Sequence, residues 1–500
     1  MKVIHALIAP PGAGKTSWLI NQLAKLNDQC SILVFPTKIL SAEVQNRMRE
    51  LEFDFNAIDS STVEGSVVQC LEESLLNRTH RILICTHESL RLINAEALHG
   101  WRLYVDEVPT TWDCSTYSFT DLSYRKAFDN VTDVSKAGDK NRLNAKDDCR
   151  TLIEGLANGN DSTLTSDARS ILKALLDCRY AVEVEELDEK LKRTVRVIGF
   201  KHYIPAFDAA EEAVIMGAEV EKTLLGIILK GAGWCIRPIE ANIDFSGYGN
   251  KVEIHPFFRN RPYSKSAALM KAGKIYPHYQ EGCLLDAWLQ LDVFRIIGNR
   301  EAILVAHQWC KPELPVPQGH DHSNIKFIPI DNRGINEYSE YKIAICLQHG
   351  NITPIEGRSL HTLAELLSIE STVSADEIKN AVKYERFYES TLQSVCRTSL
   401  RSRTSQSKIL LFVQDLDIAN FLAEKIGNCT INEALSEEYI APESASKAKR
   451  ESLKQRAISL WIQKHSIKSI ANEIGKTTRT VSGWISPYRQ LRQTDSEISP

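Results

Sequence analysis

A glycine-rich stretch near the start of the chain has the residue types and spacing of a phosphate-binding site. Positions 6 to 18 read "ALIAPPGAGKTSW". Glycines in such a loop leave backbone N–H groups free to surround a phosphate, the lysine reaches the β- and γ-phosphates, and Thr16 would help to hold Mg²⁺. The predicted nucleotide-binding residues are Pro11, Gly12, Ala13, Gly14, Lys15, Thr16 and Ser17.

A pair of carboxylates, Asp106 and Glu107, follows another apolar run, "WRLYV". Asp106 is predicted to bind Mg²⁺ through water, and Glu107 to orient and deprotonate an attacking water. Alone, such a pair is equally typical of a solvated strand end. In combination with the glycine-rich loop it predicts a catalytic site for ATP with Mg²⁺, in which Lys15 also takes part.

The elements that must hold these residues are visible as apolar patterns. "KVIHALIA" is typical of a strand, and "SWLINQLAKL" carries apolar residues at helical spacing. Strand, loop and helix in this order favour a nucleotide site over a simple turn. Ala9 stands where the usual loop pattern has glycine. Because this residue ends the strand and does not wrap the phosphates, we expect the site to tolerate it.

Segments further along the chain resemble a known family. "ILVFPTKIL", "ILICTHESL" and "VDEVP" follow the loop in order, and together they resemble the first motor domain of superfamily 2 helicases and translocases, the DEAD/DEAH-like group. The resemblance implies contacts with a nucleic-acid backbone from Pro36, Thr37, Lys38 and Thr86. The alternative for both segments is a core strand with a polar end. Only a few residues precede the loop, where DEAD-box RNA helicases carry an adenine-reading segment, so remodelling of RNA is disfavoured.

The third motif of that family, which couples hydrolysis to nucleic acid, has only a weak match here. It falls at Gly217, Ala218 and Glu219, after an apolar run and far beyond Glu107. We therefore interpret the stretch from about 115 to 205 as an insertion. Its composition predicts a small helical subdomain with polar loops.

A second motor domain is predicted to follow. "EAILVAHQW" is typical of a strand, and "IDNRGINEYSEYKIAICL" resembles the fifth motif, with Gly334, Ile335 and Asn336 at its centre. The resemblance implies nucleotide contacts from Gly334 and Asn336. The aromatic and basic stretch "HPFFRNRPYSKSAALMKAGK" at the start of this domain favours equally a single-strand contact or a domain hinge.

"LQSVCRTSLRSR" resembles the sixth motif, Q-x-x-G-R-x-x-R. Gln393, a predicted nucleotide contact, and Arg397 keep their spacing, whereas Cys396 replaces glycine and Arg401 comes one residue late. Phosphoryl transfer needs a guanidinium beside the γ-phosphate. We predict that Arg397 is this arginine finger, with Arg401 sharing the role and Arg403 as an alternative. A basic, solvated helix face is the competing interpretation.

The C-terminal segment "SIKSIANEIGKTTRTVSGWI" has the spacing of a helix-turn-helix. Such a module needs aliphatic, small and glycine residues at fixed positions because two helices cross tightly. These positions are filled by Ile470, Ala471, Ile474, Gly475, Val481 and Trp484. Thr477 would cap the second helix, and the predicted DNA contacts are Lys476, Thr478, Arg479 and Ser482. The competing interpretation is a three-helix module that does not bind DNA.

Charge supports this reading of the C-terminus. The whole chain of 500 residues has a formal net charge of −4, so it would not coat nucleic acid nonspecifically. Positions 447 to 492, however, hold eleven basic and two acidic residues. The twelve cysteines are scattered without a C-x-x-C pair, which favours reduced thiols, and "GHDHSN" favours a solvated loop over a metal site. No apolar run is long enough for a membrane span or signal peptide.

Taken together, the sequence predicts an α/β protein with two tandem RecA-like P-loop NTPase domains and a small all-α module. The expected boundaries are 1–240 for the first domain, 241–430 for the second, 431–450 for a linker and 451–492 for the helix-turn-helix. We expect an ATP-dependent DNA helicase or translocase of a phage, plasmid or mobile element, acting in replication or recombination in the cytoplasm. Its partners would be a single DNA strand in the motor cleft and duplex DNA at the C-terminal module, with no membrane. The alternative is a site-specific replication initiator or regulator that ATP switches without processive unwinding.

Overall fold

The computed structural model describes residues 2–26, 29–138, 140–159, 164–189, 191–243, 245–274, 276, 282–310, 324–330, 337–402, 405–438 and 445–486. The chain divides into two compact units, Met1–Glu437 and Glu438–Pro500. Within the ranges above, no helix has both the length and the apolar character that a bilayer crossing requires.

A parallel sheet organises the first part of the larger unit. Its elements are β1 (Lys2–Ile8), α1 (Lys15–Lys25), β2 (Ser31–Phe35), α2 (Lys38–Glu50), β3 (Asn56–Ala57), α3 (Val67–Asn77), β4 (Ile82–Thr86), α4 (His87–Leu92) and β5 (Arg102–Asp106). After an insertion the chain returns to this sheet. The returning strands are β11 (Glu212–Gly217) and β12 (Trp234–Pro238). The strand order over the described residues is β12-β1-β11-β5-β2-β4-β3, and all neighbours are parallel. The carboxyl ends of β1, β11 and β5 therefore lie side by side, where ligands bind in such sheets.

The insertion runs from residue 112 to residue 200 and contains a sheet of its own. Its elements are β6 (Trp112–Thr120), α5 (Asp121–Phe128), β7 (Thr132–Ala137), β8 (Lys140–Ala145), α6 (Arg150–Asn158), α7 (Ser166–Leu176), β9 (Tyr180–Val184) and β10 (Lys192–Phe200). The strands pair antiparallel in the order β6-β10-β9-β8-β7. The prediction of a purely helical insertion is therefore wrong. Strand β7 is polar and largely exposed, and β8 is polar and mostly half-buried, so neither carries the apolar alternation by which a strand is recognised in a sequence.

Beyond the insertion, the chain completes the first sheet and builds a second parallel one. The returning elements are α8 (Ile204–Ala209), β11 (Glu212–Gly217), α9 (Leu224–Gly231) and β12 (Trp234–Pro238). The second part contains β13 (Val252–Phe258), α10 (Lys265–Ala268), α11 (Leu284–Trp288), α12 (Phe294–Ile297), β14 (Ala302–Val305), β15 (Ile325–Ile328), β16 (Ile343–Cys346), α13 (Pro354–Leu367), α14 (Ala375–Lys383), α15 (Ser390–Val395), β17 (Ile409–Asp415), α16 (Leu416–Ile426) and β18 (Cys429–Ile431). Its described strands follow the order β15-β14-β16-β17-β13-β18. The predicted α/β class is confirmed, since two parallel sheets are flanked by helices.

A buried apolar cluster, here called the bridging cluster, fastens α13 and α14 of the second part to the first. The insertion and α9 contribute Trp112, Ile198, Phe200, Leu224 and Ile228, and the second part contributes Leu360, Leu363, Leu367, Val373, Ile378, Ala381 and Val382. Polar contacts extend the junction, since Thr362 donates a hydrogen bond of 2.7 Å to the buried carboxylate of Glu183. Lys140 of the insertion in turn donates to the Thr362 hydroxyl at 2.7 Å.

The smaller unit contains the helices α17 (Ala445–Ile462), α18 (Ile467–Ile474) and α19 (Thr478–Ile485). They bury a common apolar core, whose members are Ala457, Ile470, Ala471, Ile474, Val481, Trp484 and Ile485. Gly475 ends α18 in the left-handed region at φ 65°, a conformation that lets the chain turn directly into the next helix. Thr477 caps α19 by accepting a hydrogen bond of 3.2 Å from the Thr480 amide.

We predict that Leu363→Ala weakens the larger unit. Leu363 is 1% exposed in the bridging cluster, and truncating a buried leucine costs about 2–5 kcal/mol through lost burial and the cavity left behind. The free energy of unfolding in urea, followed by tryptophan fluorescence, measures the loss. Ile369→Ala is the matched control because Ile369, which follows α13, is 76% exposed and should change stability by at most about 0.5 kcal/mol. Equal stability of the two variants would contradict the role of the cluster.

Candidate active site

The glycine-rich loop between β1 and α1 is shaped by two glycines in the left-handed region. Gly12 has φ 79° and Gly14 φ 95°, conformations that glycine adopts without steric cost. Gly14 is the N-cap of α1, and no side chain caps this helix. Its first amides are therefore not satisfied by a capping side chain, and together with the helix dipole they favour an anion.

Lys15 begins α1 and turns back over the loop. Its Nζ donates hydrogen bonds of 2.8 Å to the carbonyl of Ala9 and 3.2 Å to the carbonyl of Pro10. Burial lowers the pKa of Lys15, and the neighbouring carboxylates, Asp106 first among them, act in the opposite direction. The ammonium group is thus held at the floor of the loop, beside the acidic pair.

Asp106 and Glu107 lie at the carboxyl end of β5. Asp106 is 4% exposed, and burial, followed by the charge of Glu107, raises the pKa of Asp106 to about 7. The ring Nε2 of His87 lies 2.9 Å from the Asp106 carbonyl oxygen. Glu107 has φ 58°, an uncommon conformation for a residue with a side chain and typical of functional turns. A divalent cation would relieve the cost of burying this acidic pair, so the residues present fit Mg²⁺.

Gln393, Arg397 and Arg401 reach this loop from the second part of the unit. Gln393 lies on α15, Arg397 follows that helix, and Arg401 ends a short 3₁₀ turn, Ser399–Arg401. Burial lowers the pKa of Arg397, an effect that the carboxylate of Glu107 opposes. A Cβ placed on Gly12 would lie only 2.7 Å from the Cγ of Arg401. Arg401 therefore packs against the glycine-rich loop, and Arg397 lies near Glu107 of the acidic pair.

These side chains line one cavity of about 290 Å³, here called the loop cavity. Its lining brings together residues from both parallel sheets and their helices: Pro11, Gly12, Gly14, Lys15, Thr16, Ser17, Asp106, Glu107, Gln393, Arg397 and Arg401. Gly217 and Ala218 of the weak third motif also line it, whereas Glu219 forms ion pairs with Lys222 and Lys425. The Lys425 pair connects the end of β11 to α16 of the second part.

The sequence patterns do not indicate several residues that lie in or beside the loop cavity. Tyr248 donates a hydrogen bond of 2.8 Å from its hydroxyl to the carbonyl of Pro11, and the thiol of Cys396 lies 3.3 Å from the Tyr248 hydroxyl. No sequence signal identifies Tyr248, because the contact spans more than two hundred positions. Arg47, which donates to the Ser17 hydroxyl at 2.9 Å, lies on the same face of α2 as Leu40, and helical periodicity could have identified it.

The residues predicted to touch a DNA strand lie at the carboxyl ends of β2 and β4. Thr37 and Thr86 are the N-caps of α2 and α4, and each accepts a hydrogen bond of 3.2 Å from a backbone amide. Lys38 donates to the Ser60 hydroxyl. Pro36 lines a second cavity, of about 620 Å³, which also shares Gln393 with the loop cavity. We call this second cavity the interdomain cleft.

The remaining predicted residues either lie outside the described residues or belong to the smaller unit. Gly334, Ile335, Asn336 and Arg403 lie outside the described residues, as does the "GHDHSN" stretch except for its last residue, Asn324. In the smaller unit Lys476, Thr478 and Arg479 are exposed, and Ser482 is half-buried. All four belong to α19 or to the turn before it.

Comparisons with known proteins give one family match and several similar structures. Residues 452–497 match the family described as the putative ATPase subunit of terminase (gpP-like). The chain has no match among curated proteins. Among solved structures, S. tokodaii Xpd4 has a TM-score of 0.48 at 10% identity, with coverage of 88% of this chain and 96% of that chain. An XPD helicase structure has a TM-score of 0.48 at 12% identity, with coverage of 86% of this chain and 96% of that chain.

A third similar structure is S. cerevisiae Dbp5 bound to RNA and ADP BeF3, with a TM-score of 0.37, 9% identity and coverage of 88% and 85%. Likeness at such low identity carries no information about substrate. The family match covers the smaller unit and not the loop cavity. What the chain does must therefore be argued from its own residues.

We predict that Gly12→Ala weakens nucleotide binding at least tenfold. The new methyl group would meet the Arg401 side chain and force the loop or the arginine away. Gly65→Ala is the matched control, because Gly65 also has a positive φ, +108°, but no atom lies within 4 Å of the added Cβ. Both variants carry a backbone strain of about 1–3 kcal/mol, whereas only the first should lose affinity for a fluorescent ATP analogue. Unchanged affinity in Gly12→Ala would show that this close packing does not shape the site.

Proposed function

We propose that the chain is an ATP-dependent DNA helicase or translocase. The observation that carries the proposal is the loop cavity, in which Lys15 and the acidic pair of one sheet face Arg397 and Arg401 of the other part. A site whose residues come from two parts of the unit can change shape when the bound nucleotide is hydrolysed or released, and a motor requires such a change. The order of motifs along the chain supports the same conclusion.

Each residue has a role that its position supports. Backbone amides of Gly12 to Lys15 and the Lys15 ammonium would bind the phosphates, and Thr16 and Asp106 would hold Mg²⁺. Mg²⁺, when bound, would neutralise charge on the β- and γ-phosphates. Glu107 would orient the attacking water and accept its proton. Arg397, assisted by Arg401, would stabilise the charge that develops on the transferred phosphoryl group.

The proposed load is a single DNA strand in the interdomain cleft. Pro36 and the residue after Thr86, His87, line this cleft on one side, and the ends of β14 and β16 face it from the second part. The cleft shares Glu389 and Gln393 with the loop cavity. A change in the bound nucleotide that moves these two residues would therefore also change the lining of the cleft that holds the strand.

The smaller unit is proposed to be a helix-turn-helix that binds duplex DNA. The exposed Lys476, Thr478 and Arg479 at the start of α19 present two cations and a hydroxyl, groups that contact phosphates and base edges. Its similarity to a family described as a terminase ATPase subunit supports a module used by DNA-directed ATPases. The role would be to anchor or target the motor.

We predict that ATP hydrolysis depends on residues from both parts of the larger unit. Lys15→Ala and Glu107→Gln should abolish hydrolysis, and Arg397→Ala should lower kcat on the order of 10³-fold, as expected for an arginine finger. Steady-state ATPase assays with single-stranded DNA, duplex DNA or RNA as stimulator measure this. Arg237→Ala is a matched control because Arg237 is exposed on β12 and lies outside the loop cavity. Normal hydrolysis in Arg397→Ala would overturn the finger assignment.

The same variants separate the motor from the alternative function. Strand displacement that is lost in Lys15→Ala and Glu107→Gln but survives deletion of residues 445–500 supports a motor. A footprint on a defined duplex with no strand displacement supports an ATP-switched initiator or regulator instead. Stimulation by RNA and not by DNA would contradict the proposed load.

A further inference from the structure

The interdomain cleft is rich in flat rings. His87, Trp112 and Tyr203 line it from the first part, and His307 and His349 line it from the second. His87, Trp112 and Tyr203 are each less than 9% exposed, whereas His307 and His349 are half-buried. The two histidines follow β14 and β16, parallel neighbours whose carboxyl ends meet at this cleft. They therefore offer the ring surface that a ligand in the cleft can reach.

The charges in the cleft do not favour binding by phosphate neutralisation. Its described cations, Lys201 and Arg386, each hold a carboxylate: Lys201 lies 3.0 Å from Glu88, and Arg386 lies 2.7 Å from Glu356. The lining also includes Glu385 and Glu389. Since the carboxylates outnumber the cations, a DNA strand in this cleft must gain much of its affinity from contacts other than ion pairs.

The histidines belong to a small aromatic cluster. The ring centroids of His307 and His349 are 4.3 Å apart, and the Trp309 ring lies 6.0 Å from each of them. The Trp309 ring is nearly parallel to that of His307, at 13°. The Nζ of Lys265 lies 5.3 Å from the centre of the Trp309 ring. Lys265 belongs to the aromatic and basic stretch for which the sequence favours equally a single-strand contact or a domain hinge. His307 and His349 line the cleft, whereas Trp309 packs against them and is not part of the lining.

The surroundings of the two histidines favour their neutral forms. Burial lowers the pKa of His307, and burial together with the charge of neighbouring groups lowers the pKa of His349 to about 4. The groups facing them include Lys265 and Glu356, and the nearest titratable ring is the other histidine. Neutral imidazoles act as flat, weakly polar surfaces, a property suited to stacking on bases.

We propose that His349 and His307, with Trp309 behind them, form a platform on which a base of the bound DNA strand stacks. This proposal rests on the proposed function and specifies how the cleft holds its load. Polar groups at the rim are already engaged, since Asn351 donates to the carbonyl of Tyr263 at 2.7 Å and Thr353 caps α13. Recognition at the platform is therefore tolerant of base identity, as in other stacking sites for single strands.

The test compares a thymidine oligomer with an abasic oligomer of the same length and phosphate count. Fluorescence anisotropy with the full chain and a non-hydrolysable ATP analogue gives both affinities. Stacking of a base changes affinity by about 5- to 100-fold, so wild type should bind the thymidine strand at least fivefold more tightly. His349→Ala and Trp309→Ala should remove most of this preference while leaving the abasic affinity unchanged.

Two further variants make the result specific. His349→Phe keeps a flat ring and should restore the preference that His349→Ala loses. His361→Ala, at an exposed histidine of α13 outside the cleft, should behave as wild type. The preference should also stay constant between pH 7 and 8, and it should weaken less with salt than the affinity for the abasic strand.

The outcomes separate the platform from the function on which it rests. Equal affinities of wild type for both strands, or an equal loss for both strands in His349→Ala, would overturn the platform while leaving a DNA-stimulated ATPase intact. No binding of single-stranded DNA by wild type would overturn the proposed function as well. A preference for an RNA strand over the thymidine strand, lost in His349→Ala, would keep the stacking and refute DNA as its ligand.

Discussion

The packing of α13 and α14 against the insertion is the constraint on which the rest of the larger unit depends. Leucines of α13, including Leu360 and Leu363, pack against Ile198 and Phe200 of the insertion and against α9, and each fully buried leucine contributes about 1.5–3 kcal/mol. The chain then runs from α14 through a π-helical segment, Tyr384–Glu389, into α15. Because α15 leads to Arg397 and Arg401, the same packing brings these arginines to the loop cavity.

The π-helical segment connects α14, which packs on the first part of the unit, to α15 of the second part. A segment of this kind is rare and often occurs at functional sites. Here it joins helices held on the first part to the helix that carries Gln393, and its last residue, Glu389, lines both the loop cavity and the interdomain cleft. If α13 and α14 move with the first sheet, motion of the second sheet must be absorbed in this segment and in the loop before α13.

The charges that line the loop cavity stabilise one another. Lys15 is half-buried beside Asp106 and Glu107, and the half-buried Arg397 has a charge partner in Glu107. Burying any one of these charges alone would be costly, whereas together they compensate one another. In the proposed motor, a nucleotide with its cation would enter this balance and bias the relation between the two parts. The lining of the interdomain cleft has a different character, with several rings and two cations that are paired with carboxylates. In the proposed motor this difference would separate ATP hydrolysis from binding of the strand.

Local patterns in the sequence were enough to indicate the loop and the acidic pair. Strand, glycine-rich turn and helix are consecutive, so Gly12, Gly14 and Lys15 are arranged by neighbouring residues, and Asp106 needs only the end of an apolar strand. The parallel α/β character also follows from strands that alternate with helices. The roles of these residues in binding and hydrolysis, and that of the C-terminal helices in DNA binding, stay predictions.

Contacts between distant positions were decided by the tertiary structure alone. Tyr248 reaches Pro11, Arg401 packs on Gly12 despite its shifted spacing, and His307 meets His349, all through folding of separate segments. Strands β7 and β8 of the insertion are polar and leave little apolar pattern in the sequence, whereas β9 and β10 are apolar and their pattern could have indicated strands. The sequence by itself determined which residues could do chemistry, since local geometry depends on nearby residues. Only the tertiary structure decided which of them meet, because that depends on packing between segments that the chain brings together across hundreds of positions.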